Sequence, residues 1–222
     1  MKFLCWDCYI EALSDLTVIY LKESEMEIVL ASSNLHKIRE FREMFKSLPR
    51  IDVLSLLNFP QYKSPVEEGK TFQENAQLKA VDAAKVLGKW VLADDSGLVV
   101  PALDGAPGIY SRRYAGEDAT DAENRQKLLQ NMQHLSEIQR SAYFQCSLVL
   151  ALPTGEVKKS VTGICEGFLL KEEKGRYGFG YDSLFVKHDY DKTFAELDDS
   201  TKNRISHRYK AFEKLLGVLQ SL

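Results

Sequence analysis

Trp90-Val91-Leu92-Ala93-Asp94-Asp95-Ser96-Gly97-Leu98 runs from four apolar residues straight into two carboxylates and a Ser-Gly pair. An apolar run of strand length with this ending reads as a buried strand that delivers carboxylates to a sheet edge, where the chain turns. Loops held by a rigid scaffold carry a disproportionate share of catalytic groups. Two carboxylates at such a place can hold a divalent metal, act as a general base, or do both. They can equally be turn formers or a helix cap at an ordinary strand end, and the stretch alone does not separate these readings.

Outward from it, strand and helix signals alternate, the pattern of an α/β sheet. Glu27 to Ala31 reads as a strand, and Leu35, Ile38, Phe41, Phe45 and Leu48 follow at helical spacing. Ile51 to Leu54 is a second strand. Thr71-Phe72-Gln73-Glu74 is a capping-box pattern opening a helix that Gly88 closes. Leu98 to Val100 continues the sheet beyond the aspartates. Thr120-Asp121-Ala122-Glu123 opens another helix, through Leu128, Leu129 and Met132. Alternation over Ala142, Phe144, Cys146, Leu148 and Leu150, then Pro153-Thr154-Gly155-Glu156, then Val157 to Gly163, predicts a long hairpin. The closing segment places Ile205, Tyr209, Phe212, Leu215, Leu216 and Leu219 on one helical stripe.

Composition narrows the class. A chain of 222 residues, 45% apolar and 27% charged, is long enough to bury a core and has the make-up of a soluble globular protein. Its formal net charge of −3 provides no footprint for nucleic acid or an anionic membrane. Met1 to Ile10 is apolar but carries Asp7, with Glu11 and Asp15 close behind; it is too short for a membrane span and lacks the basic start of a signal peptide. Periodic organisation begins at Met26. Residues 1–25 therefore read as an extension, lineage-specific or misassigned, ahead of one domain over 26–222; an intact peptide from 1–25 in the native protein would refute a start at Met26. Cys5-x-x-Cys8 has no second pair to complete a zinc site, which leaves two ordinary thiols of a reducing cytoplasm. Cys146 and Cys165 read as small buried hydrophobes.

Polar clusters fall at element junctions, where α/β folds bind ligands. Ser32-Ser33-Asn34-Leu35-His36-Lys37 joins strand to helix. Free N–H groups at a helix start attract phosphate, and Lys37 adds a point charge; a plain cap by Ser33 or Asn34 is the alternative. Glu67-Glu68-Gly69-Lys70-Thr71 precedes a helix, within reach of a metal near the aspartates, although acidic residues suit a helix start for dipole reasons alone. Lys79, two turns on, reads as either a site cation or a solvated one. Gly175-Arg176-Tyr177-Gly178-Phe179-Gly180-Tyr181-Asp182 interleaves glycines and aromatics, as a loop does where a ring stacks on a flat ligand or on its own neighbours. His36, His134 and His188 read as surface or structural residues by themselves, whereas His207 stands out between Ser206 and Arg208 at a helix start.

Together these motifs carry a resemblance. Ser32-x-Asn34-x-x-Lys37, the Glu-Gly-x-Thr-Phe-x-Glu-Asn-Ala run at 68–76, Ala-Asp-Asp-Ser-Gly-Leu at 93–98, Gly105-Ala106-Pro107-Gly108-Ile109-Tyr110-Ser111, Phe179-Gly180-Tyr181-Asp182 and Ser206-His207-Arg208 occur in one order. The set resembles the inosine triphosphate pyrophosphatase (RdgB-like) family over about residues 27 to 220. Two departures stand out: Ser-Ser-Asn replaces the usual Thr-Gly-Asn, and Ser183 stands where proline usually follows Phe-Gly-Tyr-Asp.

The resemblance implies an α/β fold with a mixed twisted sheet flanked by helices, in two lobes around a central nucleotide-binding cleft. It implies hydrolysis of ITP, dITP and XTP to the monophosphate and pyrophosphate with Mg²⁺, in a cytoplasmic homodimer. Related readings are a pyrophosphatase of different base preference and an inactive nucleotide-binding module. Carried over, Asp95 is the general base and a metal ligand, with Glu67 the second metal carboxylate and Glu68 its alternative. Ser96 is a substrate contact. Residues Ser32, Ser33, Asn34, Leu35, His36 and Lys37 form the triphosphate cradle, helped by Lys79 and Lys202. Phe179, Gly180, Tyr181 and Asp182, with His207 and Arg208, form the nucleobase end.

Overall fold

A computed structural model describes residues 26–222; the reading of 1–25 as an extension, with Cys5 and Cys8, lies outside the described residues. Six strands are joined by helices in the order β1 (Met26–Leu30), α1 (Leu35–Phe45), β2 (Ile51–Ser55), α2 (Phe72–Leu87), β3 (Trp90–Val99), α3 (Asp121–Asn131), β4 (Ser141–Ala151), β5 (Val157–Leu169), β6 (Phe185–Lys187), α4 (Asp199–Ile205), α5 (His207–Glu213) and α6 (Leu216–Leu219). They form one mixed sheet, ordered β2-β1-β3-β4-β5-β6. β1 runs parallel to β2 and β3, and the other three pairs are antiparallel. The mixed α/β sheet expected from the resemblance is the fold observed.

Strand alternation distributes the core between two faces. Ile28, Leu30 and Leu92 face Phe41 and Phe45 of α1 and Phe212 of α5. Val29, Val91 and Ala93 face the other way, onto the alanines Ala76, Ala80, Ala83 and Ala84 of α2. A third cluster, around Leu98, Phe144, Phe185 and Phe194, fills the β4–β6 side with Leu128 and Met132. Cys165 is buried in this cluster and Cys146 in the first one, both as expected.

Two expectations are corrected. The chain does not turn at Asp94-Asp95: β3 continues through them to Val99, paired with β4 from Val91 to Val99. The opening comes from the other neighbour, because β1 covers only Trp90 to Leu92 before it leaves at Ser32. The carboxylates therefore emerge beside the carboxyl end of a parallel strand, where α/β sheets form ligand crevices. The closing segment is three short helices rather than one. Ser206 takes an extended conformation, ends α4 and caps α5 by accepting a hydrogen bond from Tyr209 N. Ile205 consequently joins one core cluster while Tyr209 and Phe212 join another.

Candidate active site

The notch beside β3 opens into a cleft of about 280 Å³, lined by Ser32, Ser33, Asn34, Lys37, Glu67, Lys79, Asp95, Ser96, Phe179 to Asp182, Lys202, His207 and Arg208 among others. Neighbouring strand residues point to opposite faces, so Asp94 and Asp95 enter different charge clusters. Asp94 Oδ1 accepts from Lys37 Nζ at 2.6 Å and Ser96 Oγ at 2.8 Å, and Oδ2 faces Arg208 Nε at 3.4 Å. On the α2 side, Asp95 Oδ1 accepts from Lys79 Nζ at 2.9 Å and Oδ2 faces Asn75 Nδ2 at 3.4 Å.

Their acidities diverge accordingly. Burial opposes the charge on Asp94, but Lys37 and Arg208 outweigh it and hold the group far below the usual carboxylate range. Asp95 is pushed upward, burial outweighing the attraction of Lys79 and Lys37. Two adjacent carboxylates set apart in this way are suited to different tasks, one a fixed charge and the other a proton acceptor.

Lys79 is buried, not solvated, and also contacts Glu67 Oε1 at 3.2 Å. Burial would lower its pKa; Asp95 and Glu67 outweigh that and raise it. The oxygens of Glu67 and Asp95 thus converge on one cation. Glu68 is exposed and lies outside the cleft lining. Among the described residues no group of three His, Cys, Asp or Glu side chains comes together to cage a metal. A pair of carboxylates fits Mg²⁺, which takes one or two and completes its shell with water and phosphate.

The strand-to-helix junction differs in part from expectation. Asn34 caps α1, its Oδ1 accepting from His36 N at 2.9 Å and Lys37 N at 3.3 Å. Two N–H groups expected to be open to phosphate are therefore occupied by the cap, which leaves Lys37 as the charged group of this junction that faces the cleft. Leu35 and His36 do not line the cleft. In the first helical turn they point outward, Leu35 is 67% exposed, and His36 stacks on Phe179 with ring centroids 4.9 Å apart.

At the far end Lys202 Nζ bridges Asp182 Oδ2 (2.6 Å) and Glu40 Oε1 (2.9 Å) and lies 4.8 Å from the Phe179 ring centroid. Arg208, almost fully buried, pairs with Glu40 and Asp94 and donates to Ser96 Oγ at 2.9 Å. His207 stacks on Phe144 at 4.8 Å, and its buried Nδ1 has no hydrogen-bond partner among the described residues. Burial, with the charge of Arg208 beside it, pushes its pKa well down, so the ring is neutral.

Sequence reasoning missed Glu40, Asn75 and Asp121. Glu40 follows Lys37 by three residues on one helix face, a charge amid the buried Ile38, Phe41 and Met44, and that position was the available signal. Asn75 stood inside a quoted motif without a role; it is fully buried, and its Oδ1 accepts from Gly69 N. Asp121, at the start of α3, accepts from Gly180 N at 2.7 Å. Its partner lies 59 residues away, so no local spacing announces it.

Comparison with known proteins places this geometry among relatives. Residues 28–218 match the model of the Ham1 family. A protein of Protochlamydia amoebophila named dITP/XTP pyrophosphatase is 61% identical over 198 residues, covering 89% of this chain and 99% of its own. One of the same name from Chlamydia abortus is 53% identical, covering 89% and 96%. The solved structure of a HAM1 protein from Coxiella burnetii superposes with a TM-score of 0.80 at 42% identity, covering 89% of this chain and 100% of its own. That of the Staphylococcus aureus Ham1 protein gives 0.78 at 41%, covering 88% and 98%.

Proposed function

The chain belongs to the Ham1 family, and from that premise we propose how its cleft works as a nucleoside triphosphate pyrophosphatase. It hydrolyses the deaminated purine triphosphates dITP, ITP and XTP to the monophosphate and pyrophosphate; relatives at 61% and 53% identity are named dITP/XTP pyrophosphatase. The observation that carries this reading is the run of cations, the part-buried Lys37 and the buried Lys79, Arg208 and Lys202, from the Asp95–Glu67 pair to the ring of Phe179. That sequence of groups suits a triphosphate at one end and a flat base at the other.

Asp95, raised in pKa by burial, accepts the proton of the water that attacks the α-phosphorus; the bond to the α–β bridging oxygen breaks and pyrophosphate leaves. Lys79 keeps Asp95 oriented. Lys37 holds phosphate oxygens, and Ser32, Ser33, Asn34 and Ser96 supply further polar contacts. Glu67 and Asp95 would hold Mg²⁺, which when bound neutralises phosphate charge and lowers the pKa of water.

At the other end Phe179 offers a ring face, with Gly180 to Asp182 and His207 around it. Lys202 and Arg208 only donate hydrogen bonds, so they favour an accepting 6-oxo group and leave the 6-amino group of adenine unpaired, at about 1–3 kcal/mol per group. A homodimer in the cytoplasm is the assembly and location this reading adds; sedimentation measures the first.

The test is turnover of ITP, dITP, XTP, GTP and ATP with Mg²⁺, with pyrophosphate measured against orthophosphate. Pyrophosphate release, at least about tenfold faster from XTP and dITP than from ATP, is expected. Orthophosphate as the first product, or equal rates on ATP, would overturn the reading.

A further inference from the structure

The loop that presents Phe179 is rich in glycine and exposed over much of its length. Gly175, Gly178 and Gly180 all have positive φ, at 83°, 75° and 59°, and residues 171–178 are exposed. Within the loop Phe179 N donates to Asp182 Oδ2 at 2.9 Å and Asp182 N to Phe179 O at 3.2 Å. A glycine-rich segment loses much conformational entropy on ordering, so restraint from outside adds to these bonds.

Helix α3 supplies that restraint. Asp121 and Arg125 are four residues apart and share a helix face. Asp121 Oδ2 accepts from Gly180 N at 2.7 Å, and Arg125 Nη1 donates to Gly180 O at 2.9 Å. Both polar groups of one peptide-bearing residue, immediately after Phe179, are thus gripped by a single helix. Arg125 is held in turn by Glu173 Oε2 at 2.8 Å from its Nε, and the same oxygen accepts from Ser183 Oγ at 3.0 Å. Glu173 therefore ties the clamp to the far side of the loop through the residue that departs from the family pattern. Tyr181, whose hydroxyl donates to Ser111 O at 2.8 Å, fixes the next position.

We propose that Asp121 and Arg125 are positioning residues, a clamp on Gly180 that holds Phe179 ready for the purine, with Glu173 and Ser183 its outer brace. The inference rests on the reading of Phe179 as the base-stacking residue of a purine triphosphate pyrophosphatase. A clamp that acts through Phe179 affects base engagement and leaves the phosphate chemistry at Asp95 alone.

Kinetics on XTP test it. Arg125→Ala should raise KM about tenfold and leave kcat within about twofold, since a charge-assisted bond to the loop is lost while the reacting atoms are untouched. In a Phe179→Ala background the same substitution should add less than about twofold. Glu173→Gln, which keeps the shape of the brace and removes its charge, should raise KM about threefold if the alanine variant fails to fold. An unchanged KM, a fall confined to kcat, or a full further loss on top of Phe179→Ala would overturn the clamp. Failure of the wild type to release pyrophosphate from XTP would instead overturn the functional reading beneath it.

Discussion

Adjacent carboxylates with opposite surroundings are the heart of the site at the scale of single residues. Asp94 spends its charge on Lys37 and Arg208, while Asp95 is left with Lys79 and a raised proton affinity. Asp95→Asn is expected to lower kcat by roughly a thousandfold, the range of a lost general base, with nucleotide affinity by calorimetry changed far less; near-native turnover would remove Asp95 from the role. His207 gives a pH signature. Its buried ring stays neutral while the unfolded chain takes up a proton near pH 6.5. Above that pH both states are neutral and the residue contributes no slope; as pH falls through 6.5 the unfolded state gains a proton the native state refuses, and stability drops. The unfolding midpoint should therefore fall between about pH 7 and about pH 5.5, and His207→Gln should flatten that fall. An unchanged slope would mean that His207 titrates freely. Most of these residues were legible because they sit in compact motifs. Glu40 was not, because its importance arises only when α4 and α5 fold back against α1 from the other end of the chain.

Elements were legible where local periodicity and punctuation agree. Thr71 Oγ1 accepts from Glu74 N, Gly88 closes α2 in a left-handed conformation, and Thr120 with Glu123 forms a reciprocal cap, all as the sequence indicates. The reach of Glu74 differs in one respect, since its carboxylate takes Lys70 N rather than the cap residue's own N–H. The break at Ser206 was legible in part: Ser206-His207-Arg208 reads as a helix start, but the apolar spacing from Ile205 to Leu219 runs on across it as one stripe. That break lets α5 press onto β5. A Cβ on Gly163 would lie 2.2 Å from His207 O and 2.4 Å from Ala211 N, backbone against backbone. Gly163→Ala should destabilise the fold by about 1–3 kcal/mol, the usual cost of overpacking, and raise KM by shifting His207 and Arg208. Ser206→Ala, which removes the cap and a long bond to Asn203 O at 3.5 Å, should cost about 1 kcal/mol. Thermal unfolding compares the two, and an equal or larger loss for the serine variant would contradict the close contact.

At the scale of the whole molecule the cleft is nearly neutral. Its lining has six lysines and arginines (Lys37, Lys79, Arg112, Arg113, Lys202, Arg208) against five aspartates and glutamates (Glu67, Asp94, Asp95, Asp121, Asp182), a formal net of +1. A bare triphosphate gains little from so balanced a surface, and its own divalent cation supplies the missing charge. Removal of divalent cations with a chelator is expected to weaken triphosphate binding at least about tenfold by calorimetry as well as to stop turnover; full affinity without metal would contradict this account. Because each site lysine already has a carboxylate at contact range, loading is a change of partners. Long-range steering, which ordinary salt screens over about 8 Å, has little to act on. Capture of nucleotide should therefore be almost indifferent to ionic strength, an enzyme paced by the unlatching of its own ion pairs rather than by the pull it exerts on passing anions.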